Sequence, residues 1–408
     1  MFQLGNVPHP NAKQNTVVFC FFESGDTFQN LSTALDRFRE QLQELRALTW
    51  KDKTFRLFGF GDYEYLCKMY GLSGAGGRHF CLWCLITQDQ SQIPRKLRAS
   101  QPRSIEGLIK DHADFLSEGK GKLANAKMYN NAINNVIFDI PISQVCVPSL
   151  HLDLGIFLRF YNMFENEVEQ LQKKIDASGD LNLVQTLDKT LQRMNVKRQA
   201  YHGKSFVGNH VHKCLQEGNI DLLTNAAIEE VKLVSPAYQD EVTTICTKYN
   251  KLMKMFAKCH AGYSKCDYME SEEINELENN IDCLMAFYRE EFPSARVSPK
   301  MHILEDHTVP WIRRWGFGCG FHGEQGGEHV HSDLNNIRYN IRGLRDDLEI
   351  ARCLMKEHWT QVSPLTQKYK PKTVRKALKS KHNDETQKKG LLFWRSSAYG
   401  RMVEDVVC

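Results

Sequence analysis

The sequence predicts an α/β (α+β) protein, with a small N-terminal sheet followed by a much longer helical part. Short apolar or β-branched runs at residues 2–5, 16–23 and 54–61 are typical of strands. After residue 150, apolar residues recur at spacings of three and four over several long segments, which is typical of amphipathic helices. The chain has 408 residues, of which 42% are hydrophobic, so it can bury a substantial core.

The first two runs are predicted to form a hairpin, because residues 6–15 between them contain two prolines and three asparagines. Asp26 is placed to cap a helix whose apolar residues recur from Phe28 to Leu45. Residues 54–61 follow that helix. We therefore expect their strand to lie parallel to another strand of the same sheet.

The rest of the chain is expected to be mainly helical. Helices are predicted at 152–175, 181–194, 219–233, 242–256, 272–292, 328–340 and 344–359, with a glycine-rich turn at 316–327. Residues 367–389 are rich in lysine and poor in large apolar side chains, so an exposed or disordered tail is expected there.

Composition restricts the class of protein. A formal net charge of +4 is too small to indicate a nucleic-acid partner by itself. Thirteen cysteines, together with an N-terminus that lacks a signal-peptide pattern, favour a reducing compartment in which cysteines are core residues or metal ligands. The apolar stretches are too short to cross a bilayer, so no membrane partner is expected.

Asp62 stands at the carboxyl end of the predicted strand 54–61. Sheets with parallel strands place ligand-binding groups at that end, so Asp62 is a candidate catalytic metal ligand. An aspartate just before Tyr63 can equally cap a helix that begins there. Position alone favours neither interpretation.

Cys81 and Cys84, in FCLWC, have the spacing that lets two thiolates bind one tetrahedral zinc ion. One such pair is only half a site, and two reduced core cysteines are an equally common arrangement. His302 and His307, in KMHILEDH, have a spacing found in zinc sites and can supply the other half. A Cys2His2 site of this kind would join two distant parts of the chain as a structural clasp.

Residues 321–335 hold a dense group of titratable side chains. Glu324 and Glu328 are four positions apart and share one helical face if the helix begins early enough, so either can complete a carboxylate metal site. His322, His329 and His331 can instead bind a transition metal together with the glutamates, or can be polar residues at a helix start.

An ordered set of segments resembles the catalytic subunit of the V(D)J recombinase and the related Transib transposases. The segments are FGFGDYEYL, FCLWC, VPSLHLDLGIFLRFYNMF, YHGKSFVGNHVHK, HILEDH and MKEHWTQVSP, within residues 2–371. Asp62 precedes Cys81 by 19 positions, an interval that looks the same as in the recombinase.

The resemblance implies an RNase H-like core with a DDE carboxylate triad that uses Mg2+ or Mn2+, and a large, mainly helical zinc-binding insertion. It assigns Asp62 to the second catalytic aspartate, Glu328 to the glutamate with Glu324 as a rival, and the cysteines and histidines named above to structural zinc. No residue here matches the first catalytic aspartate. The core is therefore expected to be incomplete at its first strand and impaired in catalysis.

The resulting domain expectation is an RNase H-like sheet and helix at 1–70, a zinc-binding helical insertion at 71–315, the glutamate helix at 316–363 and a basic tail at 364–408.

The expected function is that of a transposon-derived, DNA-binding recombinase-like protein in the nucleus. The resemblance adds a homodimer and a partner subunit as expectations. Nine Lys or Arg at 368–389 can neutralise DNA phosphates, or can form a solvated tail. Two other classes stay open: a His/Glu metallohydrolase, and a noncatalytic interaction protein stabilised by zinc.

Overall fold

The computed structural model describes residues 1–369 except 4, 6, 8–9, 21, 23, 176–180, 199–204 and 323–324. The lysine-rich segment that follows residue 369 lies outside the described residues, so the expectation for the tail is not addressed by the structure.

The N-terminal region begins with the expected hairpin, in a shorter form. β1 (Phe2–Gln3) pairs antiparallel with β2 (Thr16–Val17). Two helices follow, α1 (Phe28–Asp36) and α2 (Arg39–Ala47), and a second hairpin joins β3 (Thr49–Trp50) to β4 (Lys53–Thr54). The cap of α1 is not Asp26 but the next residue, Thr27, whose side chain accepts a hydrogen bond from the Asn30 N–H at 3.2 Å.

The predicted α/β RNase H-like core is wrong. Across the described ranges, the strands are four two-residue strands that form two separate hairpins, and nearly all other regular structure is helical. Most of the predicted strand 54–61 is irregular and makes one parallel bridge, between Gly59 and Val145. Side-chain packing explains its apolar character, since the Phe58 ring meets Trp315 edge to face with centroids 4.8 Å apart.

A helical body forms the centre of the protein. Its helices are α3 (Tyr63–Met69), α4 (Ile105–Ser117), α5 (Ser149–Ile175), α6 (Leu183–Arg193), α7 (Gly208–Cys214), α8 (Glu217–Val234), α9 (Gln239–Tyr263), α10 (Ser271–Glu291), α11 (Pro299–Ile303) and α12 (Val309–Trp315). The long predicted helices in this region are thus confirmed, with ends that differ by a few residues from the predicted ones.

Helix α9 is central because it packs against α5, α8 and α10. On α5, the fully buried Phe160 packs against Phe256 of α9 and Tyr288 of α10, with ring centroids 5.7 and 5.8 Å apart. The buried positions of α5 recur every three or four residues, so a single face of the helix enters the core. Apolar burial of this extent is the main force that holds the helices together.

The described chain ends in three helices: α13 (Gln325–Asn340), α14 (Asp347–Val362) and α15 (Pro364–Tyr369). Helices α13 and α14 pack against each other and against the N-terminal hairpin. A small separate core of Val18, Val330, Leu334 and Leu354 lies between them. The predicted helices at 328–340 and 344–359 are therefore confirmed.

All twelve cysteines in the described residues are free thiols. Among the helices that the structure describes, none combines the length and apolar character needed to cross a membrane.

Candidate metal centre

The cysteine side of the site lies on the loop between α3 and α4. Cys81 and Cys84 are both buried, and the loop carrying them is held by hydrogen bonds to its backbone. The Tyr63 hydroxyl donates to the carbonyl of Phe80. The Arg103 guanidinium donates to the carbonyls of Cys81 at 2.8 Å and Cys84 at 3.3 Å, so the two cysteines have a fixed mutual orientation.

The histidine side depends on a local departure from α-helical geometry. Residues five positions apart on a regular α-helix point about 140° away from each other, so His302 and His307 could not converge on one ion there. Between α11 and α12, however, Leu304–Thr308 forms a π-helical turn. A π turn closes i→i+5 hydrogen bonds and brings residues at this spacing onto one side, and such turns are frequent at functional sites.

The four side chains converge, although 218 positions separate Cys84 from His302. Their ligand atoms all lie within 4.8 Å of one another. Cys81 Sγ is 3.2 Å from His307 Nε2, Cys84 Sγ is 3.4 Å from His302 Nε2, and the two Nε2 atoms are 3.1 Å apart. A tetrahedral zinc ion, with bonds of about 2.3 Å to sulfur and about 2.05 Å to nitrogen, requires S–N and N–N separations of about 3.5 and 3.3 Å.

The protonation states of the ligands suit metal binding. Burial lowers the pKa of His302, which favours the neutral imidazole that a metal requires. The pKa of the Cys84 thiol is also lowered, first by a hydrogen bond with Cys81 and further by the two histidines. Burial raises the pKa of the Cys81 thiol. One of the two cysteines is thus readily a thiolate, and a bound cation would deprotonate the second.

A buried ion-pair network surrounds the histidine side. Asp306 Oδ2 lies 3.5 Å from His302 Nδ1. The other carboxylate oxygen of Asp306 accepts a hydrogen bond from Arg98 at 2.6 Å, and Arg98 also contacts Glu305 at 3.0 Å. Arg289 of α10 donates to Glu305 at 2.7 Å. These pairs join the π turn to the loop before α4 and to α10.

The residues present therefore fit a metal ion such as zinc. Two thiolates and two imidazoles form a soft, tetrahedral donor set of the kind that selects zinc. His302 Nδ1 is a buried polar atom without a hydrogen bond in the described part of the chain. That state fits an imidazole whose Nε2 is meant for a metal and whose Nδ1 proton faces a carboxylate.

The described part of the structure does not bring together the carboxylates that the sequence assigned to a catalytic site. Asp62 is the N-cap of α3, and its carboxylate accepts a hydrogen bond from the Tyr65 N–H at 2.8 Å. Glu324 lies outside the described residues. Glu328 is on helix α13, and its side chain is likewise outside what is described.

The histidines near the start of α13 do not converge. His322 stacks on Phe58 with centroids 4.8 Å apart and also contacts Trp311 and Phe321. Burial lowers its pKa to about 4. His329 and His331 are exposed. Within the described residues, the cluster of Cys81, Cys84, His302 and His307 is the one group able to hold a metal ion.

Sequence reasoning missed the residues that surround the ligands. Asp306 directly precedes His307, and a carboxylate four positions after a ligand histidine was a usable signal. Arg103 carried no such signal, because its contacts with the cysteine loop exist only in the folded chain.

No model of a known protein family matches this sequence. A search of curated proteins likewise found no match.

Proposed function

We propose that this protein is a zinc-stabilised, transposon-derived DNA-binding protein that does not itself cut DNA. The observation that carries the proposal is the convergence of Cys81, Cys84, His302 and His307 into one largely buried Cys2His2 donor set. These are the residues that the resemblance to the V(D)J recombinase and Transib transposases assigns to zinc. The other ordered segments of that resemblance support the same origin.

The proposed zinc is structural. Four protein ligands complete a tetrahedral shell and leave no position for water or substrate, whereas a catalytic zinc keeps one position open. Three of the four ligands are buried. The ion would connect the loop after α3 to α11 and the π turn that follows it, which lie far away in sequence.

The absence of DNA cleavage is proposed on chemical grounds. Strand transfer by a DDE triad needs carboxylates that hold two Mg2+ or Mn2+ ions beside the reacting phosphate. Asp62 is the one assigned carboxylate whose side chain is described, and it is engaged in capping α3.

DNA binding is proposed from the resemblance and from the nine Lys or Arg at 368–389. Such a segment neutralises phosphates without reading sequence, and its affinity falls steeply with salt. A nuclear location, a homodimer and a partner subunit belong to the same proposal, since the resembling recombinases act in that setting.

The test measures binding of the full chain to a labelled DNA duplex over a salt series. We expect the dissociation constant to rise steeply with salt. A variant in which four basic residues are changed to glutamine should bind more weakly and with a smaller salt slope; these residues are Lys372, Arg375, Lys376 and Lys379. A matched control changes Lys173, Lys174, Lys248 and Lys254, all in ion pairs on the helical body, and should keep the slope.

The same preparation is then incubated with supercoiled DNA and Mg2+ or Mn2+. We expect no nicking above that of the Asp62→Ala variant. Robust nicking that Asp62→Ala abolishes would refute the proposed lack of activity. A chain that binds zinc but shows no affinity for DNA would instead favour the noncatalytic interaction protein.

A further inference from the structure

We propose that Asp306 and Arg103 are positioning residues for the metal centre, Asp306 for its histidine side and Arg103 for its cysteine side. The inference rests on the metal site proposed above. It assigns roles to two side chains that do not themselves bind the ion.

Asp306 is placed to fix one imidazole. His302 is completely buried, and its Nε2 faces the cysteines while its Nδ1 lies 3.5 Å from Asp306 Oδ2. A metal on Nε2 leaves the proton on Nδ1, where a carboxylate can accept it. Such a hydrogen bond would set the ring orientation and make the ligand nitrogen more basic.

Asp306 is itself rigidly held. Arg98, whose side chain is 4% exposed, donates to Asp306 at 2.6 Å and to Glu305 at 3.0 Å. Glu305 in turn accepts from Arg289. Arg98, itself fixed by its second contact with Glu305, therefore holds the Asp306 side chain in place beside the imidazole.

Arg103 performs the corresponding task for the thiols. It is 6% exposed, and it donates to the carbonyls of His79 and Asn130, both at 2.9 Å, as well as to those of Cys81 and Cys84. A planar guanidinium binds several acceptors in a fixed geometry that a lysine cannot reproduce. Among the described residues no carboxylate forms an ion pair with Arg103, so these four carbonyl oxygens hold the guanidinium in place.

The experiment measures zinc and cobalt affinity by competition with a chromophoric chelator. We expect Asp306→Asn and Arg103→Lys each to weaken metal binding by about 10–100-fold, as outer-shell changes do in other metal sites. Two matched controls change buried or half-buried groups away from the ligands. Asp221→Asn removes a partner of Lys254, and Arg159→Lys alters a contact with Tyr288; both should bind cobalt like the wild type.

A spectrum of the wild-type protein provides a readout that does not depend on the folding of any variant. Long-range 1H–15N correlation of the zinc-loaded chain should show His302 bound through Nε2 and protonated at Nδ1. Binding through Nδ1, or variants with unchanged affinity, would overturn the positioning roles and leave the metal centre intact. A wild-type chain that binds neither zinc nor cobalt would refute the metal centre and the positioning roles together.

Discussion

At the residue scale, Asp62 shows how a backbone requirement can produce the same pattern as a catalytic one. The first N–H groups of a helix have no partner inside the helix, and the Asp62 carboxylate accepts one of them from Tyr65. We expect Asp62→Ala to reduce the free energy of unfolding by about 1 kcal/mol, because the cap is lost. Asp62→Asn should cost much less, since asparagine caps equally well. Urea unfolding distinguishes these outcomes, and an equal loss in both variants would contradict the capping role.

His322 is the second residue whose surroundings predict a measurable effect. Burial among Phe58, Trp311 and Phe321 lowers its pKa from 6.5 to about 4. The folded state therefore disfavours the proton. The stabilising contribution of the neutral ring is complete above pH 6.5 and is lost as the pH falls towards 4.

The expected loss over that range is at most about 3 kcal/mol. Urea unfolding at pH 7.5 and pH 4.5 should show a smaller drop in stability for His322→Phe than for the wild type. The exposed His329 provides a control, and His329→Gln should keep the wild-type drop. Acid loss of the metal centre is common to all three proteins and cancels in the comparison. An identical drop in His322→Phe would disprove this source of pH dependence.

At the element scale, the π turn Leu304–Thr308 determines whether the histidines converge. The buried Thr308 hydroxyl donates to the Ile303 carbonyl at 3.2 Å, a bond across five positions that supports the wider turn. We expect Thr308→Val to reduce stability by about 0.5–1.5 kcal/mol, because one side-chain hydrogen bond across the turn is lost. The variant should also bind zinc more weakly, whereas Thr308→Ser should retain both properties. Urea unfolding measures the stability and chelator competition measures the zinc affinity. Normal zinc affinity in Thr308→Val would show that the hydroxyl is not needed for the geometry of the metal site.

The contact of α5 with α9 and α10 allows a prediction about packing. Phe160 is fully buried between Phe256 and Tyr288. We expect Phe160→Ala to cost about 3–5 kcal/mol, since it leaves a cavity between three helices. Ile109→Ala, on the exposed side of α4, should be close to neutral in the same unfolding measurement. A similar cost for both changes would contradict the packing that the structure shows.

The elements differ in how far the sequence could predict them. The long helices were predictable because their apolar residues keep one period over many turns, as in α5 and α10. The run 54–61 was misinterpreted because a short apolar segment has the same pattern in a strand and in an irregular segment whose aromatic side chains are buried. The CxxC spacing indicated half of a metal site. Arg103 and the π turn were not predictable, since both depend on contacts that form only when distant segments fold together.

At the scale of the whole molecule, a bound metal ion would link the loop after α3 to α11 and the π turn that follows it. Removal of the ion would release a connection across 218 positions of the chain. Removal of the ion would also leave the two histidines and two cysteines without the metal that they share. Zinc that binds only the folded chain stabilises it by mass action, by about 2.7 kcal/mol at free zinc 100-fold above its dissociation constant and about 4.1 kcal/mol at 1,000-fold.

We therefore expect the urea midpoint of the wild-type chain to rise with buffered free zinc and to fall when a strong chelator is added. Cys84→Ser should shift the dependence to much higher free zinc, because one thiolate ligand is lost and the remaining three bind the ion more weakly. Cys283→Ser is the matched control, since Cys283 is an exposed thiol on α10 that takes no part in the cluster. A midpoint that keeps the wild-type zinc dependence in Cys84→Ser would place the stabilising ion elsewhere in the protein. A wild-type midpoint that does not respond to zinc would mean that the helical body is held by its apolar core alone.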